Sequence, residues 1–259
     1  MFLDLYLPTN PAFFPIPVVV FFHGGGFVSG NKAMIRHGTT EHTMMFLRDT
    51  GFAVASVQYR FVDGTTVIPK SITDARDAIR FLKKVASDYD LDRERVAAWG
   101  SSAGASLALT AAYLKEDLTP PDVEGDGDLN IFSVININAA TDLYRSLYKE
   151  QLDDDFSEYY RDHLSLYYGK EDPQAIAQII SPYHLASSAA PPTLSMHGSK
   201  DKIVDMSESV RLHEKLTELG VPTELYLLPD SGHSLLPVKP DEEEEITRRT
   251  IDFLLKYMP

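Results

Sequence analysis

Three side chains suited to acyl transfer lie far apart in this 259-residue chain, each shortly after an apolar run. Gly100-Ser101-Ser102-Ala103-Gly104 follows Val96-Ala-Ala-Trp99 and precedes a small-residue stretch reaching about Leu114. Strand, tight turn and helix is the setting in which a G-x-S-x-G serine is exposed as a nucleophile. The two glycines permit a reversal in which a Cβ would strike the neighbouring strand or helix, and the following helix N-terminus adds partial positive charge. Ser102 is therefore the candidate nucleophile. Alone, the pattern also reads as a plain small-residue turn, so its partners decide.

Such a serine needs a base oriented by a carboxylate, and donors for a developing oxyanion. Asp201 follows Thr193-Leu-Ser-Met196 in the loop His197-Gly-Ser-Lys-Asp201, and His233 follows Thr223–Leu228 in Pro229-Asp-Ser-Gly-His233. His233 would accept the serine proton and return it to the leaving group, and Asp201 would fix the imidazole tautomer. Asp205 competes with Asp201 but lies farther from the strand end. Its place after Ser-Gly separates His233 from His37, His42, His163, His184 and His213. The triplet Gly24-Gly-Gly26 after His23 is oversupplied with glycine for a plain turn. As an oxyanion hole, the N–H groups of Gly25 and Gly26 would join that of Ala103, and bulky substitution at Gly25 is the accessible probe.

These groups need a scaffold that holds them at one edge. Strands are expected at 2–7, 18–22, 52–58, from Val96 to the Ser102 elbow, and at 132–138, 193–196 and 223–228. Helices are expected over 41–49, from Ile72 to Ala86, over 206–219 and after Pro240. On the Ile72 helix, Ile72, Ala75, Ile79, Leu82 and Ala86 share a face, with Arg and Lys opposite. Strands alternating with helices imply an α/β class with a mostly parallel sheet covered on both faces. Residues 143–186 interrupt that rhythm and are expected to form a small helical cap over the carboxyl edge, where such sheets bind ligands. The chain thus reads as one domain, 1–259, with this insertion. Phe27, Ser101, Tyr144, Leu147 and Tyr159 are candidate pocket residues. Other cap residues (Leu143, Phe156, Tyr160, Leu164, Tyr167, Tyr168) either line the pocket or pack the cap on the sheet.

Composition narrows the partners. A formal charge of −14 disfavours nucleic acid and anionic membranes, and no apolar run approaches the ~20 residues of a membrane span. The start shows no secretory signal, which leads to a cytoplasmic expectation. With no cysteine, disulfides and a thiolate nucleophile are excluded. The histidines lack metal-ligand spacing, so neither metal nor cofactor is expected. The acidic run 241–245 suits the first turn of a helix. An exposed first or last strand offers edge pairing as a route to a homodimer.

His23-Gly-Gly-Gly26, Gly-x-Ser102-x-Gly, His197-Gly-x-x-Asp201 and Gly232-His233 together resemble the carboxylesterases of the hormone-sensitive-lipase-like branch of α/β-hydrolases, in particular the group with carbohydrate acetyl and feruloyl esterases. Leu3-Asp-Leu-Tyr-Leu-Pro8, Val57-Gln-Tyr-Arg60, Asp74–Leu82 and Asp90–Trp99 agree with it. The resemblance covers nearly the whole chain and implies an α/β-hydrolase fold. It also implies a triad of Ser102, Asp201 and His233, an oxyanion hole of Gly25, Gly26 and Ala103, and hydrolysis of small short-acyl esters through an acyl-enzyme. The same machinery serves amidases, formamidases and acyl-peptidases, and a non-catalytic binder on this fold is the alternative of another class. Three departures stand out. Ser101 occupies a position that is often acidic, Ala105 one that is often glycine, and the chain begins at what resembles the branch's second strand.

Overall fold

Alternating side chains on doubly buried strands set the architecture. A computed structural model describes residues 2–63, 65–124, 129–148 and 172–259, with backbone alone at 147, 148 and 173. Seven strands form one sheet: β1 Phe2–Tyr6, β2 Ile16–Phe22, β3 Ala53–Gln58, β4 Leu91–Ser101, β5 Ile131–Ile137, β6 Thr193–Gly198 and β7 Thr223–Leu228. Their spatial order is β1-β3-β2-β4-β5-β6-β7. Only β1 on β3 is antiparallel among these pairs. A parallel sheet covered on both faces requires near-continuous apolar strands, and Ile16–Phe22 is buried at every residue.

Period-two alternation sorts these strands between two cores. Val18, Val20, Phe22 and Ala98 face helices α2 (Ile68–Lys84), α3 (Ala103–Tyr113) and the helix Ser207–Glu218. Val19, Phe21, Ala97 and Trp99 face α1 (Gly38–Thr50) and the final helix Pro240–Tyr257. Asp241, Glu242 and Glu243 occupy the first turn of that final helix, and the Glu242 carboxylate accepts from Lys239 N–H at 3.0 Å. This is the dipole-compatible placement that the sequence suggested.

The charged side of α2, opposite its apolar face, is not all turned to solvent. Arg76 and Arg80 are buried. Arg76 donates to Asp117 at 2.6 Å and to the carbonyls of Ala111 and Leu114 at 2.9 Å each, and Arg80 reaches Asp117 at 2.6 Å and Asp77 at 2.8 Å. These bonds tie α2 to the end of α3 and the loop beyond it. A helical wheel records the charge of these residues but not the loop carbonyls that come to meet them.

Of the expected cap, helices α4 (Leu143–Tyr148), α5 (Pro173–Ile180) and α6 (Pro182–Leu185) are described; Ser207–Glu218 is then α7 and Pro240–Tyr257 α8. Phe156, Tyr159, Tyr160, Leu164, Tyr167 and Tyr168 lie outside the described residues.

Candidate active site

The Ser102 turn is built by steric exclusion. A Cβ on Gly100 would lie 2.3 Å from the Gly104 carbonyl oxygen, and one on Gly104 would lie 2.0 Å from that of Phe22. Only glycine lets strand, turn and helix approach this closely. Between them Ser102 adopts φ 54° and ψ −125°, a strained conformation for a residue with a Cβ. Its N–H donates to the Ile137 carbonyl at 2.8 Å, and its own carbonyl accepts from Ala105 and Ser106. The turn is therefore anchored to β5 on one side and α3 on the other.

The remaining two loops meet in the same way. A Cβ on Gly198 would stand 2.3 Å from the Gly232 carbonyl oxygen, so the Asp201 and His233 loops pack backbone to backbone. Lys200 N–H donates to Ser231 O at 2.9 Å, and Gly232 N–H to Leu236 O at 2.7 Å. Across this junction His233 Nε2 lies 2.9 Å from Ser102 Oγ, and His233 Nδ1 lies 2.8 Å from Asp201 Oδ2. Three residues drawn from separate loops thus form one continuous hydrogen-bonded chain. Asp205, the competing carboxylate, instead accepts from Ser207 N–H and caps the approach to α7.

Asp201 is fully buried in its side chain. Burial pushes its carboxyl up, but hydrogen bonds from His197, His233 and the Val204 N–H outweigh this and hold it well below the usual carboxylate range. Its Oδ1 accepts from the N–H groups of Ile203 and Val204, and its Oδ2 accepts from Asn138 Nδ2 at 2.7 Å. His197 lies 3.3 Å from Oδ2 and is itself fixed between Ser209 Oγ and the Val204 carbonyl. Neither Asn138 nor Ser209 was picked out in the sequence. Asn138 follows β5 directly, at a carboxyl end of the parallel sheet, and that position is the signal that could have marked it.

The glycine loop faces Ser102. A Cβ on Gly24 would come within 3.3 Å of Ser102 Cβ. Gly25 and Gly26 take φ 121° and 60°. His23 sits fully buried beneath them, its Nδ1 2.7 Å from Gly24 O and its ring stacked on Tyr59 at 4.5 Å. Burial lowers the His23 pKa, so the ring acts as a neutral wedge under the loop. Gly25, Gly26 and Ala103 all line one cavity together with Ser102 and His233.

That cavity measures about 730 Å³. Phe27 and Ser101 line it, and so does Leu143, one of the cap residues expected either to line the pocket or to pack the cap; Met34, Ile137, Ile203 and Leu236, which the motifs do not single out, complete this wall. Tyr144 does not: it packs against the core cluster, while its helix neighbours Leu143 and Ser146 face the cavity. Three-residue spacing puts those two on one side of the helix and turns Tyr144 away. The Leu147 side chain, like Tyr159, falls outside the described residues. Among the described lining residues there is no Asp, Glu, Lys or Arg.

Sheet, elbow and loop order define an α/β-hydrolase fold. The BD-FAE family model matches residues 3–216, and the chain belongs to that family. An isoprenylcysteine alpha-carbonyl methylesterase of Arabidopsis thaliana is 32% identical over 250 residues, covering 90% of this chain and 53% of the relative. The chain spans about half the length of the plant relatives it matches. The propionate-bound esterase Est2 of Thermogutta terrifontis superposes with a TM-score of 0.77 at 24% identity, covering 98% of this chain and 88% of that one. A truncated carbohydrate esterase from gut microbiota gives a TM-score of 0.77 at 21% identity, covering 98% and 90%. At those identities the likeness speaks to the fold.

Proposed function

We propose that this protein is a serine carboxylesterase acting on small, uncharged short-acyl esters through an acyl-enzyme. The observation that carries the reading is the continuous chain Ser102 Oγ–His233–Asp201 opening on a cavity with glycine backbone at its edge. His233 Nε2 takes the Ser102 proton as Oγ attacks the ester carbonyl, and the N–H groups of Gly25, Gly26 and Ala103 receive the oxyanion. His233 returns the proton to the departing alcohol. Water, activated by the same imidazole, then releases the acid. Asp201, an anion throughout, holds the Nδ1–H tautomer and offsets the imidazolium charge.

Acetyl or feruloyl esters of carbohydrates are the substrates that the sequence resemblance suggests, and the plant relatives are named for cleaving a methyl ester. The described lining carries no Asp, Glu, Lys or Arg, which favours a neutral ester in either case. Residues 143–186 are read as the cap of a single catalytic domain.

The test compares wild type with Ser102→Ala on a short-acyl aryl ester, with fluorophosphonate labelling in parallel. Labelling at Ser102 and loss of essentially all turnover in the variant are expected. Near-wild-type turnover by a folded variant would end this mechanism. Matched ester and anilide substrates then separate esterase from amidase, and a series of acyl lengths with acetylated and feruloylated sugars ranks the natural classes.

A further inference from the structure

We infer that Asn138 is a positioning residue for the catalytic acid, holding the Asp201 carboxylate at its working distance from His233 through its side-chain N–H. This rests on the triad reading above and adds a fourth member that donates without titrating.

The topology places Asn138 where it can do this. β5 lies between β4, which delivers Ser102, and β6, which delivers Asp201. Its last residues touch both: the Ile137 carbonyl accepts from Ser102 N–H at 2.8 Å, Asn138 N–H donates to Met196 O at 3.0 Å, and Asn138 Nδ2 donates to Asp201 Oδ2 at 2.7 Å. The strand end therefore gauges the separation of the nucleophile and acid loops. Oδ2 is the same oxygen that accepts from His233 Nδ1, so the Asn138 bond constrains the atom that orients the imidazole. The two N–H groups of Ile203 and Val204 hold only the other oxygen. Without Asn138, Oδ2 is left to the His233 ring and to the longer 3.3 Å contact with His197, so its position relative to the imidazole is less tightly set.

Two costs at Asn138 indicate what the side chain is there for. Its backbone sits at φ 53°, a left-handed position that asparagine tolerates better than most residues. Its Oδ1 is buried with no hydrogen-bond partner among the described residues, and such an orphan is unfavourable. A side chain kept there with its carbonyl unsatisfied is retained for its donor. The titratable groups around that donor are Asp201, His233 and His197.

Asn138→Gly removes the donor while keeping a residue at ease with positive φ. Asn138→Asp keeps size and backbone tolerance but replaces the donor with an acid. For Asn138→Gly, kcat should fall roughly tenfold to a hundredfold, the range for hydrogen bonds to charged groups, with KM nearly unchanged. For Asn138→Asp, two carboxyls in contact resist ionising together, so one keeps a proton and donates at low pH and loses it only as pH rises through its raised pKa. Its kcat relative to wild type should then decline as pH rises. A folded Asn138→Gly protein with kcat within about twofold of wild type overturns the inference. Should that variant not fold, an Asn138→Asp ratio that is flat across pH overturns it equally, since a merely structural role has no such dependence. Active wild type with unimpaired variants sinks this inference alone. Inert wild type with unlabelled Ser102 sinks the hydrolase reading and this with it.

Discussion

Gly25 shows how a single residue constrains its own experiment. Its φ is 121°, and a Cβ there would lie 2.1 Å from the Ser29 carbonyl oxygen. Substitution therefore breaks the turn closed by Val28 N–H and Ser29 N–H on Gly25 O, so the probe named from the sequence disturbs the loop as well as its donors. Gly25→Ala should lose activity together with stability, seen as a lowered melting temperature alongside the lost turnover. Asp201 gives a cleaner reading. Its carboxyl is held below the ordinary value by the hydrogen bonds that overcome its burial, so the folded state resists protonation where the unfolded chain takes it up. The stability it contributes is whole above about pH 4, the unfolded value, and is lost as pH falls through the lower folded one. The unfolding free energies of wild type and Asp201→Asn should therefore converge on going from pH 6 towards pH 3. Urea midpoints that keep their separation would contradict this.

At the scale of elements, the link between α2 and the loop after α3 is the exposed weakness. Asp117 accepts from both Arg76 and Arg80, whose guanidinium groups are almost wholly buried. Asp117→Asn removes one of the counter-charges around these two buried cations, Arg80 keeping Asp77, and should cost about 2 kcal/mol, read as an earlier denaturation midpoint with the Ser102 labelling rate retained below it. This pairing was not legible beforehand, because it joins residues about forty positions apart through a loop without periodicity. The elements that carry the triad were legible for the opposite reason. Val96–Trp99 is a short apolar run closed by Gly100, Thr193–Met196 is a short segment between Pro192 and His197-Gly198, and such segments in a doubly covered sheet have few other places to go. The cavity wall was harder. Met34, Ile203 and Leu236 carry no chemistry of their own, and only the folded loops reveal that they share a surface. Tyr144 is absent from the described cavity wall, since its aromatic character is visible in the sequence but its helix facing is not.

For the molecule as a whole, charge and cavity act together. The chain carries a formal −14, while no charged side chain lines the described cavity wall. Nothing there offsets the long-range repulsion of an anionic substrate. The kcat/KM for an ester bearing a carboxylate should be below that of its neutral analogue and should rise with ionic strength as screening grows. The neutral analogue should show little change over the same salt series. Equal salt responses would show that the field does not reach the site. Among the described residues no helix is long and apolar enough to cross a membrane.

The order in which the sheet is threaded has a biological corollary. The proposed serine, acid and base follow β4, β6 and β7, and His233 comes 131 positions after Ser102. A nascent chain still on the ribosome can display the reactive hydroxyl long before it owns anything able to deprotonate it. On the proposed mechanism the enzyme is born switched off and arms itself only when translation has passed the final strand. Stalled chains that end before residue 233 should ignore a fluorophosphonate which the finished protein takes up at once.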